Sequence, residues 1–128
     1  MTVTLQPIGY VRHDSRQVPK HWTESELEGV LDIFAQYRAG LTDIRSGQRI
    51  AVLFHFHQSP PFDNTHLRQK RRGVGPVKGV FSLCSPIRPN PIGYSVLEVL
   101  EVNGCRIRVK GLDMRDGTPI LDIKPDHA

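Results

Sequence analysis

The residues best suited to chemistry fall into separate groups along the chain. Carboxylates Asp113, Asp116 and Asp122 lie in GLDMRDGTPILDIKP, and the imidazoles His55, His57 and His66 lie upstream. Arg88 and Asn90 sit between prolines in SPIRPNPIGYS at 85–95. Carboxylates and imidazoles serve as general bases. An H-x-H pair such as His55 and His57 shares one strand face and can chelate a metal with a third ligand. No H-x-x-x-H, no C-x-x-C and no clear carboxylate companion supports a metal here. Packed or hydrogen-bonded histidines are the stronger expectation, with a ligand contact through His57 as the intermediate one. Asp116 precedes Gly117-Thr118-Pro119, so a tight turn with its carboxylate on local backbone is expected. Asp122 and Lys124 share a strand face and are expected to form an exposed ion pair, worth little.

Pro86, Pro89 and Pro91 stiffen the stretch around Arg88 and Asn90. Proline fixes φ near −65° and biases the preceding residue, here Ser85, Arg88 and Asn90, to extended backbone. A rigid extended loop is expected, either a plain connection between strands or a preorganised recognition loop. The glycines of GVGPVKG at 73–79 match neither G-x-G-x-x-G nor a P-loop, and a strand is expected to follow, so they read as a flexible hinge. No G-x-S-x-G elbow surrounds Ser82 or Ser85. Cys84 is expected to be a small buried side chain.

Charge is unevenly distributed. The formal net charge is +4 over 128 residues. From Asn64 to Leu97 there is no Asp or Glu, while Arg68, Lys70, Arg71, Arg72, Lys78 and Arg88 all fall there. Short basic runs are usually solvated loops, but an acid-free stretch this long points to an anion or nucleic-acid surface. Cys84 and Cys105 are the only cysteines, and no secretory signal or long apolar run is visible. A reducing, cytoplasmic location without a membrane span is therefore expected.

The elements that must hold these residues read as strands. Strands are expected over 5–12, 28–34, 49–56 and 77–84, with mild helical character over 35–44. A loop is expected over 13–27 and a long basic loop over 57–76. The clearest hairpin is 92–112, with Asn103-Gly104 as a type I′ turn. There Cys105, Ile107 and Val109 alternate with Arg106, Arg108 and Lys110, which form a solvated face. A further short strand follows the turn at Asp116-Gly117. Many short strands, frequent Gly and Pro and little helical periodicity predict a mainly all-β, barrel-like single domain over 1–128.

The runs VFSLCSPIRPNPIGYS and GLDMRDGTPILDIKP, with IGYVR at 8–12 and FHFHQ at 54–58, resemble the TsaA-like family, also called the tRNA (adenine-N6)-methyltransferase O family. The resemblance covers nearly the whole chain. It implies a small β-barrel that binds S-adenosylmethionine without a Rossmann fold. It implies a homodimer with cofactor sites near the interface, and methylation of N6 of threonylcarbamoyladenosine beside the tRNA anticodon. This chain resembles the short, barrel-only members. Family members usually have Arg at the position of Cys84 and Tyr at that of Asp126, which bears on tRNA specificity.

Carried over residue by residue, the resemblance implies cofactor contacts at Pro19, Lys20, His21, His57, Gln58, Tyr94, Leu112, Asp113 and Met114. Leu112 and Met114 would line an apolar adenine slot, and Asp113 or backbone carbonyls would face positive charge. Arg68, Lys70, Arg71, Arg72 and Lys78 would meet tRNA phosphates, with Arg88 and Asn90 in structural or substrate-side roles. His57, Asp113 and Asp122 are the candidate general bases. Competing readings are a methyltransferase of this fold with another substrate, a non-catalytic cofactor or RNA binder, and a hydrolase with a metal on His55, His57 and His66.

Overall fold

Alternation of apolar and polar side chains builds one barrel wall after another. The computed structural model describes residues 1–126. Its strands are β1 (Gly9–Arg12), β2 (Glu28–Ile33), β3 (Arg49–His55), β4 (Arg68–Arg71), β5 (Val74–Gly79), β6 (Ile92–Asn103), β7 (Arg106–Lys110) and β8 (Pro119–Pro125). Six of them close into an antiparallel barrel in the order β1-β2-β7-β6-β3-β8, and β4 pairs only with β5. Helical content is limited to short 3-10 turns, among them Trp22–Glu24 and Ala35–Leu41, the latter where helical character was expected. The all-β, barrel-like expectation holds.

Every second residue of the barrel strands points inward. Val11, Leu31, Val52, Leu97, Val99, Ile107, Val109 and Ile120 have no exposed surface. Arg106, Arg108 and Lys110 face out, as expected: Arg108 pairs with Glu28 at 3.0 Å and Lys110 with Glu26 at 2.6 Å. Closure removes the sheet edges that would otherwise be open to pairing. Among the described residues, no helix is long and apolar enough to cross a membrane.

Gly93 shows how tightly the interior is filled. It lies opposite Phe54 in the β3–β6 ladder, and a Cβ there would overlap the Phe54 ring. Gly93→Ala is expected to cost on the order of 1–3 kcal/mol, because overpacking forces ring or backbone to move. A lowered urea midpoint checks this; an unchanged midpoint contradicts it.

Several local expectations are corrected. The basic stretch 57–76 is no continuous loop. Residues 64–67 form a 3-10 turn, and β4 and β5 form a hairpin closed by Arg72 and Gly73. Both turn residues have positive φ, 49° and 74°, the pattern of a type I′ turn. The glycines at 73 and 75 therefore shape a turn and its bulge and are not a hinge. The strand expected over 77–84 ends at Gly79, and a 3-10 turn follows at Val80–Ser82. The first strand is shorter than 5–12, starting at Gly9. In the β6–β7 hairpin Asn103 pairs with Arg106, so the turn residues are Gly104 and Cys105. Positive φ falls at Gly104 alone among these two, which fits type II′ better than type I′. Cys84 is exposed, the reverse of the expected burial.

Strand direction gathers the long connections at one end of the barrel. The segments joining β1 to β2 (13–27), β3 to β6 (56–91) and β7 to β8 (111–118) all leave from that end. The opposite end carries the short β6–β7 turn and the 34–48 connection.

Candidate functional site

All of the expected cofactor positions lie at or beside this loop-bearing end. Pro19, Lys20 and His21 belong to the first connection, His57 and Gln58 to the second, and Leu112, Asp113 and Met114 to the third. Tyr94 stands near the start of β6, opposite Leu53 and 54% exposed. Hydrogen bonds join the connections. Arg115 donates from Nη1 to Gln58 Oε1 at 2.8 Å. His13 Nε2 donates to the Met114 carbonyl at 2.8 Å. The backbone N–H of His13 donates to Asp116 Oδ1 at 2.9 Å, so that carboxylate bridges two connections and does not serve its own turn.

Asp113 lies in the third connection and is half-buried. Its Oδ1 accepts from the Ser95 hydroxyl at 2.5 Å. The Trp22 backbone N–H also donates to the carboxylate, and His21 faces it. Burial pushes the Asp113 carboxyl above the usual range, and the Ser95 and Trp22 hydrogen bonds and the His21 charge oppose that rise. A half-buried carboxylate held by oriented donors is suited to receiving a cation.

Leu112 and Met114 correct the expected apolar slot. Their side chains are buried in the barrel core, 0% and 2% exposed, and pack the interior. Only their backbone faces the connections: the Leu112 carbonyl accepts from Ser25 Oγ at 2.5 Å. An apolar surface for a ring is instead offered by exposed side chains such as Tyr94 and Ile92.

The other candidate base, Asp122, stands apart from Asp113. It lies in β8 in one cross-strand row with Leu53 and Tyr94. Its carboxylate pairs with Lys124 at 2.9 Å, as expected, and accepts from the Ile123 N–H. His57 is exposed just past β3. His66 is engaged elsewhere: its Nδ1 accepts from the Asp63 N–H in a capping box. Among the described residues, no three His, Cys, Asp or Glu side chains converge into a metal set.

The prolines brace a loop around Arg88. Its Nη1 donates to the carbonyls of Leu83 at 2.8 Å and Ser85 at 3.1 Å, on either side of exposed Cys84. Arg88 is thus a clasp of its own loop, and the exposed Asn90 is left outward. Gln69 of β4 donates to the Ile87 carbonyl at 2.8 Å, tying the basic hairpin to the proline loop. Arg71, Arg72 and Lys78 border an open depression on that hairpin. Arg68 and Lys70 are exposed on the same hairpin, and Arg72 reaches Glu24 at 3.6 Å. Asp126 pairs with Arg49 at 3.5 Å.

Ser25, Ser95 and His13 were not singled out by sequence reasoning. One signal was available for Ser95. It falls in phase with the inward positions Gly93, Leu97 and Val99, where a polar residue needs a partner.

Fold and site together define a small antiparallel β-barrel domain whose polar site is built from the connections at one end. The tRNA-methyltransferase O N-terminal domain family matches residues 11–127. The solved structure of TrmO from Pseudomonas aeruginosa superposes with a TM-score of 0.77 at 30% identity, covering 98% of this chain and 55% of that one. A Pyrococcus abyssi relative described as a probable S-adenosyl-L-methionine-binding protein is 31% identical over 98% of this chain and 68% of its own length. A mouse tRNA (adenine(37)-N6)-methyltransferase is 37% identical over 73% of this chain, which is 22% of the mouse protein. The chain belongs to the tRNA-methyltransferase O N-terminal domain family. It spans about half of the solved relative and under a quarter of the mouse one.

Proposed function

We propose that the protein is an S-adenosylmethionine-dependent methyltransferase that modifies N6 of threonylcarbamoyladenosine beside the tRNA anticodon. The observation that carries this reading is the gathering of Asp113, His21, Gln58 and Tyr94 at one barrel end, next to an acid-free basic hairpin. The archaeal S-adenosyl-L-methionine-binding relative and the mouse tRNA methyltransferase support the cofactor and the class of substrate.

The residues fit such a cofactor. Asp113 gives a half-buried carboxylate for a cationic group, and exposed Tyr94 gives a face for a ring. Bound S-adenosylmethionine supplies a methyl group activated on a cationic sulfur. The chain supplies position, since the N6 lone pair is delocalised into the carbamoyl group and attacks poorly without alignment. The N6 proton also needs an acceptor. Asp122 is held by Lys124, and Asp113 by Ser95 and Trp22. Exposed His57 at the same end is the base in this reading. Arg71, Arg72 and Lys78 take tRNA phosphates. A second copy of the chain covers exposed Phe81 and Ile92 beside the ring face of Tyr94, making a cytoplasmic homodimer with the cofactor site near the interface.

Transfer of labelled methyl to bulk tRNA tests the reading. Label is expected on tRNA carrying threonylcarbamoyladenosine and absent from tRNA lacking it. Label on neither, with the cofactor bound, sinks the proposed substrate.

A further inference from the structure

Ser95 is a polar side chain with no exposed surface, in a strand whose neighbouring inward positions are apolar. Its hydroxyl donates to Asp113 Oδ1 at 2.5 Å. A buried hydroxyl without a partner is costly, so this bond fixes both side chains. The flanking backbone is pinned as well. Ser25 Oγ donates to the Leu112 carbonyl, and His13 Nε2 to the Met114 carbonyl. His13 Nδ1 accepts from the Ser15 N–H at 3.1 Å, which leaves Nε2 as the protonated nitrogen. Asp113 therefore projects from a strap held at both neighbours, and Ser95 is the side-chain donor that sets its carboxylate.

We infer that Ser95 is a positioning residue for the cofactor, acting through Asp113 to hold its carboxylate against the cationic part of S-adenosylmethionine. This rests on the proposed cofactor site. The titratable side chain facing Asp113 is His21, from the 13–27 connection, and the Trp22 N–H and Ser95 complete its surroundings. Burial lifts the Asp113 carboxyl, and the Ser95 hydrogen bond is the largest effect opposing that lift. Removing the hydroxyl raises the carboxyl further. Binding that needs the ionised form is then lost at a higher pH as the solution is acidified.

The test is a double-mutant cycle on S-adenosylmethionine affinity, measured by calorimetry from neutral to acid pH. Ser95→Ala is expected to weaken binding roughly 10- to 100-fold, the usual range for a hydrogen bond to a charged group. Its acid limb is expected to move to higher pH. In an Asp113→Asn background the same change is expected to cost almost nothing more. Ser95→Cys nearly keeps the volume with a weaker donor, so it serves if Ser95→Ala does not fold, and is expected to shift both readouts the same way. Equal losses in both backgrounds, or an unmoved acid limb, overturn the role of Ser95 alone. A wild-type chain that binds no S-adenosylmethionine overturns this role together with the cofactor site.

Discussion

Asp113→Asn is expected to weaken S-adenosylmethionine binding by roughly 10- to 100-fold while the chain stays folded. The amide keeps the shape and an oxygen for Ser95 but lacks the charge. Folding is expected to be unharmed because the carboxylate is disfavoured by its half-buried setting. The pH dependence follows from the direction of the shift. The folded carboxyl lies above its ordinary value of 3.8, so the folded state holds the proton more tightly than the unfolded chain. The Asp113 contribution to stability is present below 3.8 and is lost as pH rises through the raised folded value. Relative to Asp113→Asn, the wild type is expected to gain stability on acidification through that window. Urea unfolding of both chains at several pH values reads this directly. A difference that does not change with pH contradicts the buried-carboxylate account.

The second large effect concerns the β4–β5 hairpin. Replacing Arg71, Arg72 and Lys78 together by alanine is expected to lower tRNA affinity by about 100-fold at low salt, with cofactor affinity unchanged. Each lost phosphate contact also reduces the slope of log affinity against log salt by about one. Every residue of β5 is exposed, and β4 and β5 pair only with each other. The hairpin therefore has little core to lose, and the substitutions should not disturb the barrel. Arg72 also holds a left-handed backbone conformation that arginine rarely adopts. Filter binding over a salt series distinguishes this from a solvated surface, for which affinity and slope would both stay put.

Legibility of the fold varied with the strength of the local signal. The β6–β7 hairpin was clear because apolar and basic residues alternate through CRIRVK beside an Asn-Gly pair, although the turn itself falls one residue later. The β4–β5 hairpin was hidden. RQKR has no inward apolar face, and Arg72-Gly73 is a weak turn signal compared with Asn-Gly. Cys84 was misplaced because the strand expected to bury it ends at Gly79.

The site was legible in part for similar reasons. The proline loop was read as rigid around Arg88, but that Arg88 clasps carbonyls of its own loop is a contact that proline spacing does not reveal. Leu112 and Met114 flank Asp113 at period two, so if one side faces the core the other faces the connections. The sequence does not say which side. The structure turns the apolar pair into the core and leaves the carboxylate half-buried on Ser95. The pairing of Ser95 with Asp113 spans 18 residues and depends on barrel closure, beyond the reach of local pattern.

The most direct measurement is a crystal structure of the chain with S-adenosylmethionine bound. The account predicts the cofactor at the loop-bearing end, with its cationic part against Asp113 and contacts to the 19–21 and 57–58 segments. Density at the opposite end, in the depression beside Arg38, Thr42 and Gly104, would contradict it.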